Sequence, residues 1–249
     1  MPLVTSMLFV AVWAITILQD FVGFPTEPPQ GTSNQTPFEL FFVASYASVV
    51  EEIGFRLSPI GLFLIIRVFE ARFRSGIVLS GWQRLKLLFT ALVYPEDAKR
   101  AVGLKTVSDF GIRGGLSRGE WVIIFLTAFP FGLAHFLGGW TIAKFTPAFI
   151  TGLFIGLVYI AYGAYAPILL HWFFNYYNDF LFNISLDYYP YLLPISGLAA
   201  LLILTVGIGG LIVFAIIGTK KLSKKLKTKP LTSPLPLDQS STMVENNTT

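Results

Sequence analysis

Cysteine is absent from the 249 residues, which excludes disulfides, thiolate nucleophiles and thiolate metal sites. It leaves the redox compartment open. Charge is scarce as well: 13% of the residues are charged, where soluble domains carry about 25%. Histidine occurs only twice. There is no Gly-x-Ser-x-Gly element and no His-Glu-x-x-His element, so a serine hydrolase and an ordinary zincin both lack their motif. No internal repeat is visible, although a small transporter would often show two similar halves. What fills the chain instead is apolar: 54% hydrophobic residues and a mean hydropathy of +0.66. Such a chain is counted in membrane spans of about 20 residues.

Six apolar stretches can be marked. They are Leu3 to Phe24, Phe38 to Phe69, Trp121 to Ala143, Ala148 to Ala164, Pro167 to Ile184 and Tyr191 to Gly218. The second is longer than a bilayer core needs, and Ser58-Pro59 inside it predicts a kink or a break. Pro25 to Thr36 is a turn-rich loop without Lys or Arg, which suits the non-cytoplasmic side. Asp187-Tyr188-Tyr189-Pro190 is an aromatic interfacial turn. The expected architecture is all-α, a polytopic helix bundle of about six spans with one kinked helix, in a membrane-embedded domain over 1–218. Met1 to Leu18 has no basic n-region, so it is read as a retained span and not a removed signal peptide.

The basic residues are clustered. Nine Lys and Arg lie from Arg72 to Arg118, and six lysines from Lys220 to Lys229. Both clusters flank apolar segments, and the positive-inside rule makes both cytoplasmic: a loop over 70–120 and a tail over 219–249. Trp82 to Val93 reads as a helix lying on an anionic membrane surface, and Gly111 to Gly119 as loop. From Leu231 the tail has no apolar periodicity and predicts disorder. No folded basic module surrounds either cluster, so nucleic acid is not an expected partner.

Charged groups at membrane depth cost about 2.5 kcal/mol or more on insertion scales, and are kept where they pair, line a cavity or do chemistry. Three such elements stand out. In Glu51-Glu52-Ile53-Gly54-Phe55-Arg56, a helix puts Glu52 and Arg56 on one face, four apart, while Glu51 points about 100° away. Phe131 and His135 share a face in the second element, and His171 and Asn175 in the third. Each has a plain structural reading: an ion pair at a helix end, a packing histidine among Gly132, Ala134, Gly138 and Gly139, and an interhelical hydrogen-bond clamp. Together they supply a carboxylate base, a histidine and two donors for a tetrahedral intermediate, an inventory that fits amide hydrolysis. Asn178 and Asp179 read as helix-end or supporting groups.

Glu51-Glu52-x-x-x-Arg56, Phe131-x-x-x-His135 and His171-x-x-x-Asn175, in that order over Phe38 to Phe180, resemble the three motifs of the CAAX prenyl protease type II family, also called the Abi or CPBP family of intramembrane proteases. The resemblance implies that Glu51 is the catalytic carboxylate, activating water with His135. It implies that His171 and Asn175 polarise the scissile carbonyl, and that Glu52 and Arg56 orient the site. It implies a multi-pass protein of the cell membrane whose partners are the lipid bilayer and a membrane-associated, prenylated or unprenylated, peptide substrate. The mechanism it implies is either metal-free or zinc-dependent, and the candidate ligands are Glu51, His135 and His171. Two departures stand out: Leu57-Ser58-Pro59 after Arg56, and a long basic segment. Other readings are a non-proteolytic scaffold or immunity factor of the same family, and a small proton-coupled transporter using Glu51 and the histidines as a relay.

Overall fold

A computed structural model describes residues 2–29, 35–76 and 78–227, and at 178–180, 182, 183 and 221–227 the backbone alone. The expected disorder after Leu231 and the side-chain roles of Asn178 and Asp179 therefore lie outside the described residues. The fold is all-α, with no strand among the described residues. The helices are α1 (Pro2–Phe21), α2 (Pro37–Glu52), α3 (Pro59–Arg74), α4 (Gly81–Val93), α5 (Pro95–Ala101), α6 (Val107–Gly115), α7 (Arg118–Leu137), α8 (Phe145–Tyr162), α9 (Tyr165–Phe174), α10 (Asn183–Asp187) and α11 (Leu193–Lys227). The chain divides into a bundle, Met1–Gly210, and a short unit, Leu211–Thr249, whose described part is helix.

Four helical stretches are long and apolar enough to cross a membrane: Pro2–Phe21, Arg118–Leu137, Ile142–Tyr162 and Pro190–Lys220. The other two expected spans are apolar but interrupted. Between α2 and α3 lies a π-helical segment, Ile53–Leu57, and after α9 another, Asn175–Phe182. The first has a clear cause. Pro59 has no N–H, and its ring crowds the carbonyl four residues back. The helix widens ahead of it, and Ser58 N–H bonds the carbonyl of Ile53, five residues back, at 2.9 Å. The expected kink is thus a wide turn, a form frequent at functional sites.

Local sequence sets the helix starts. Thr36 with Glu39, Ser80 with Gln83 and Ser117 with Glu120 form reciprocal capping boxes on α2, α4 and α7. Each satisfies two backbone N–H groups that the first helical turn leaves unpaired. Helix α7 stops at Leu137, short of the expected Ala143, because Gly139 takes φ +97°, a conformation that only glycine adopts cheaply. Helix α8 lies against α7 through small residues: a Cβ on Gly152 would come within 3.1 Å of Ala128, and one on Gly156 within 3.1 Å of Ile124. This close approach brings whole backbones into contact where lipid offers no hydrophobic drive. Ile60, Leu64, Ile124, Tyr159 and Ile160 form the core between α3, α7 and α8.

The basic region is more ordered than a loop. Gly111 (φ +68°) kinks α6, so Gly111 to Gly115 continues in helical turns where a loop was expected. Lys99 is buried and bonds Glu120 Oε1 at 2.7 Å and the Gly115 carbonyl at 2.9 Å. Glu96 accepts from the backbone N–H of Val107 and Ser108, at 2.8 and 2.9 Å, at the start of α6. Leu92 of α4 packs on Gly61 of α3, while Trp82, Leu85 and Phe89 remain exposed. The surface face expected of this helix is therefore narrower, because Leu92 turns inward. On the other side of the bundle Thr141, after α7, donates to the Pro25 carbonyl at 2.8 Å and accepts from Glu27 N–H at 3.0 Å. The loop after α1 and the α7–α8 turn thus share one end, about 30 Å along α7 from α6.

Two outcomes test this arrangement. Because the chain has no cysteine, single cysteines report topology cleanly. Glu27→Cys should react with an impermeant maleimide on right-side-out vesicles, and Arg113→Cys only after lysis; the reverse pattern would invert the orientation. Lys99→Met strands a buried carboxylate, at a cost of about 3 kcal/mol, and should lower the thermal midpoint in detergent. Adding Glu120→Gln keeps the capping box and removes that charge, so the double variant should recover most of the loss.

Candidate active site

Glu52 is the last residue of α2 and Arg56 lies one turn on, in the π segment. Arg56 Nη1 donates to Glu52 Oε1 at 3.1 Å, with both side chains fully buried. The pairing follows from their four-residue spacing, with glutamate on the N-terminal side. The same Oε1 accepts from Nδ1 of His171, on α9, at 2.7 Å. A carboxylate has no proton to donate, so Nδ1 carries a hydrogen, and in the neutral imidazole Nε2 is left with its lone pair. Glu52 therefore ties α2 to α9 and fixes which nitrogen of His171 is presented to the site.

That nitrogen faces Glu51. His171 Nε2 and Glu51 Oε2 are 3.7 Å apart, too long for a direct hydrogen bond. The Glu51 side chain is one-third exposed, while that of Glu52 is sealed. Glu51 Oε2, Glu52 Oε2 and Arg56 Nε and Nη2 are buried without a hydrogen-bond partner among the described residues. Native interiors rarely leave such atoms unmatched unless a site needs them. Phe131 covers the arrangement: the Arg56 guanidinium lies 3.9 Å above its ring, a cation–π contact that partly offsets burial of the charge. The same ring meets His135 edge-on at 4.8 Å and His171 at 5.6 Å between centroids.

His135 Nδ1 bonds the Phe131 carbonyl at 2.8 Å, so Nδ1 again carries the hydrogen and Nε2 is open. Asn175 follows α9 as the first residue of the π segment, and its amide nitrogen donates to Ser48 Oγ at 3.2 Å and to the Ala44 carbonyl at 3.4 Å. Both contacts are longer than the usual 2.9–3.0 Å. His135, His171, Asn175 and Phe131 line one cavity of about 220 Å³. Its other walls come from α1 (Phe9, Val12, Trp13, Thr16), from Thr26, and from Trp140, Lys144 and Thr151.

The structure thus gathers Glu51, Glu52, Arg56 and His171 into one cluster, and His135, His171 and Asn175 around one cavity. Glu51 lies beside His171, a neighbour that the spacing along either helix does not show, and Asn175 is turned towards α2. Among the described residues no three His, Cys, Asp or Glu side chains are placed to share a metal ion. Glu51, His135 and His171 are not gathered into such a group as they stand here. The sequence reading missed Ser48, one turn before Glu52 on the same face, and the whole α1 wall, whose side chains carry no motif.

Glu52→Gln should lower the thermal midpoint in detergent, since it weakens a buried pair worth about 3 kcal/mol to break. Glu51→Gln should change the midpoint little. Equal effects would mean that Glu52 does not anchor Arg56 and His171.

Residues 33–177, more than half of the chain, match the family model described as type II CAAX prenyl endopeptidase, Rce1-like. No curated protein and no solved structure matches.

Proposed function

The chain belongs to the Rce1-like family of type II CAAX prenyl endopeptidases, and from that premise we propose that it is an intramembrane endopeptidase acting on a membrane-associated, prenylated peptide with Glu51 as base. The observation that carries the reading is the approach of Glu51 Oε2 to His171 Nε2, 3.7 Å apart, with His171 in the wall of the cavity. A water lying off the line between them donates one hydrogen to each. Such a water is oriented and made nucleophilic by a single geometry.

In this reading the water attacks the scissile carbonyl as Glu51 takes its proton. The proton then passes from Glu51 to the leaving amine, so the peptide bond breaks without a covalent enzyme intermediate. Glu52 and Arg56 act as positioning residues: Glu52 holds His171, and Arg56 holds Glu52. Asn175 supplies a donor to the developing oxyanion by turning from Ser48, and its long contacts there make that rotation cheap. His135 presents its open Nε2 to the cavity and bonds substrate N–H or the attacking water. A family member that only scaffolds would not require the Glu51 and His171 lone pairs to face each other. The two interrupted segments are membrane-crossing in this reading, which gives six spans.

Cleavage of a prenylated peptide by purified protein in lipid nanodiscs tests the proposal. Glu51→Gln should abolish turnover and leave the fold intact. Glu52→Gln should reduce turnover less than Glu51→Gln. Asn175→Ala should lower kcat about 100-fold, the usual loss of one oxyanion donor, with little change in KM. Full activity of Glu51→Gln would remove Glu51 as the base. A raised KM with unchanged kcat in Asn175→Ala would make Asn175 a ground-state contact.

A further inference from the structure

Lys144 is the only Lys or Arg between Arg118 and Lys220, and it lines the same cavity as His135, His171 and Asn175. No other lysine, arginine, aspartate or glutamate lines that cavity among the described residues. The position is unfavourable for a merely structural lysine. Lys144 is the N-cap of α8, makes no side-chain capping bond there, and places a cation at the positive end of an 18-residue helix dipole.

The ammonium is also held in place. It lies 4.0 Å above the Trp140 ring, on the short turn Ile142–Lys144. That turn is tied down on both sides. Thr141 is bonded to Pro25 and Glu27, and Gln19 Nε2 donates to the Ala143 carbonyl at 3.0 Å. Against α7 the register is set by Gly132, where a Cβ would come within 3.0 Å of the Phe145 carbonyl. The cation thus has a fixed position relative to His135, one turn further along α7.

We propose that Lys144 binds a carboxylate of the substrate peptide and thereby sets which peptide bond reaches Glu51 and His171. This rests on the endopeptidase reading. Lys144 brings a cation to the wall of a cavity partly screened from solvent, where attraction to an anion exceeds that in water. The carboxylate is either the peptide's C-terminal group or an acidic side chain. The first would make the enzyme measure a fixed distance from the chain end.

The test compares wild type, Lys144→Met and Lys144→Arg in nanodiscs on three fluorogenic prenyl-cysteine peptides: one with a free C-terminal acid, the same peptide amidated, and an amidated peptide carrying an aspartate. Binding of each is measured in parallel on Glu51→Gln protein with and without Lys144→Met. Lys144→Met should raise KM about tenfold or more for the free acid, the usual worth of a hydrogen bond to a charged group. It should raise KM for the amidated peptide far less, and Lys144→Arg should retain most of the preference. Sensitivity confined to the aspartate peptide keeps the carboxylate site and assigns it to a side chain. Equal KM and equal binding for all three peptides, with and without Lys144, would overturn the proposal. If wild type cleaves none of them yet binding still separates acid from amide through Lys144, the site stands and the endopeptidase reading fails.

Discussion

One oxygen, Glu52 Oε1, accepts from Arg56 in the next turn and from His171 on another helix. Remove that oxygen and three things are lost together: the counter-charge of a fully buried guanidinium, a tie between α2 and α9, and the proton placement on His171. In a membrane-embedded bundle the cost of leaving Arg56 unpaired is large. Two adjacent carboxylates near a single arginine make sense on these terms. Glu52 neutralises and orients, which leaves Glu51 partly exposed and available for chemistry.

The rest of the bundle serves to bring that cluster to a cavity. Pro59 forces the wide turn that follows Glu52 and carries Arg56. Gly152 and Gly156 draw α8 against α7, which holds Phe131 over the guanidinium and within reach of both imidazoles. Helix α1 closes the far wall. It lies outside the matched family segment, residues 33–177, while the cavity walls from Phe131 to Asn175 lie inside it.

Much of this was legible in the sequence because the membrane makes polar residues expensive. Glu51, Glu52, Arg56, His135, His171 and Asn175 stand out against apolar neighbours, and helical spacing alone gives the Glu52–Arg56 pair. The break at Ser58-Pro59 was legible from proline chemistry. What spacing along one helix does not encode is pairing between helices, so the meeting of His171 with Glu51 and Glu52, and the turn of Asn175 towards Ser48, appear only in three dimensions. The basic segment misled for a related reason. Its helices α4 to α6 are short, and the groups that order them, Glu96, Lys99 and Glu120, read in sequence as ordinary surface charge.

The chain contains only two histidines, so ¹⁵N-histidine NMR of the protein in lipid nanodiscs observes the central interaction with little ambiguity. The account predicts that His171 is protonated at Nδ1 with an unprotonated Nε2, and that Glu52→Gln shifts its resonances while those of His135 stay put. A His171 ring that carries its hydrogen at Nε2 alone, or one that does not respond to Glu52→Gln, would contradict it.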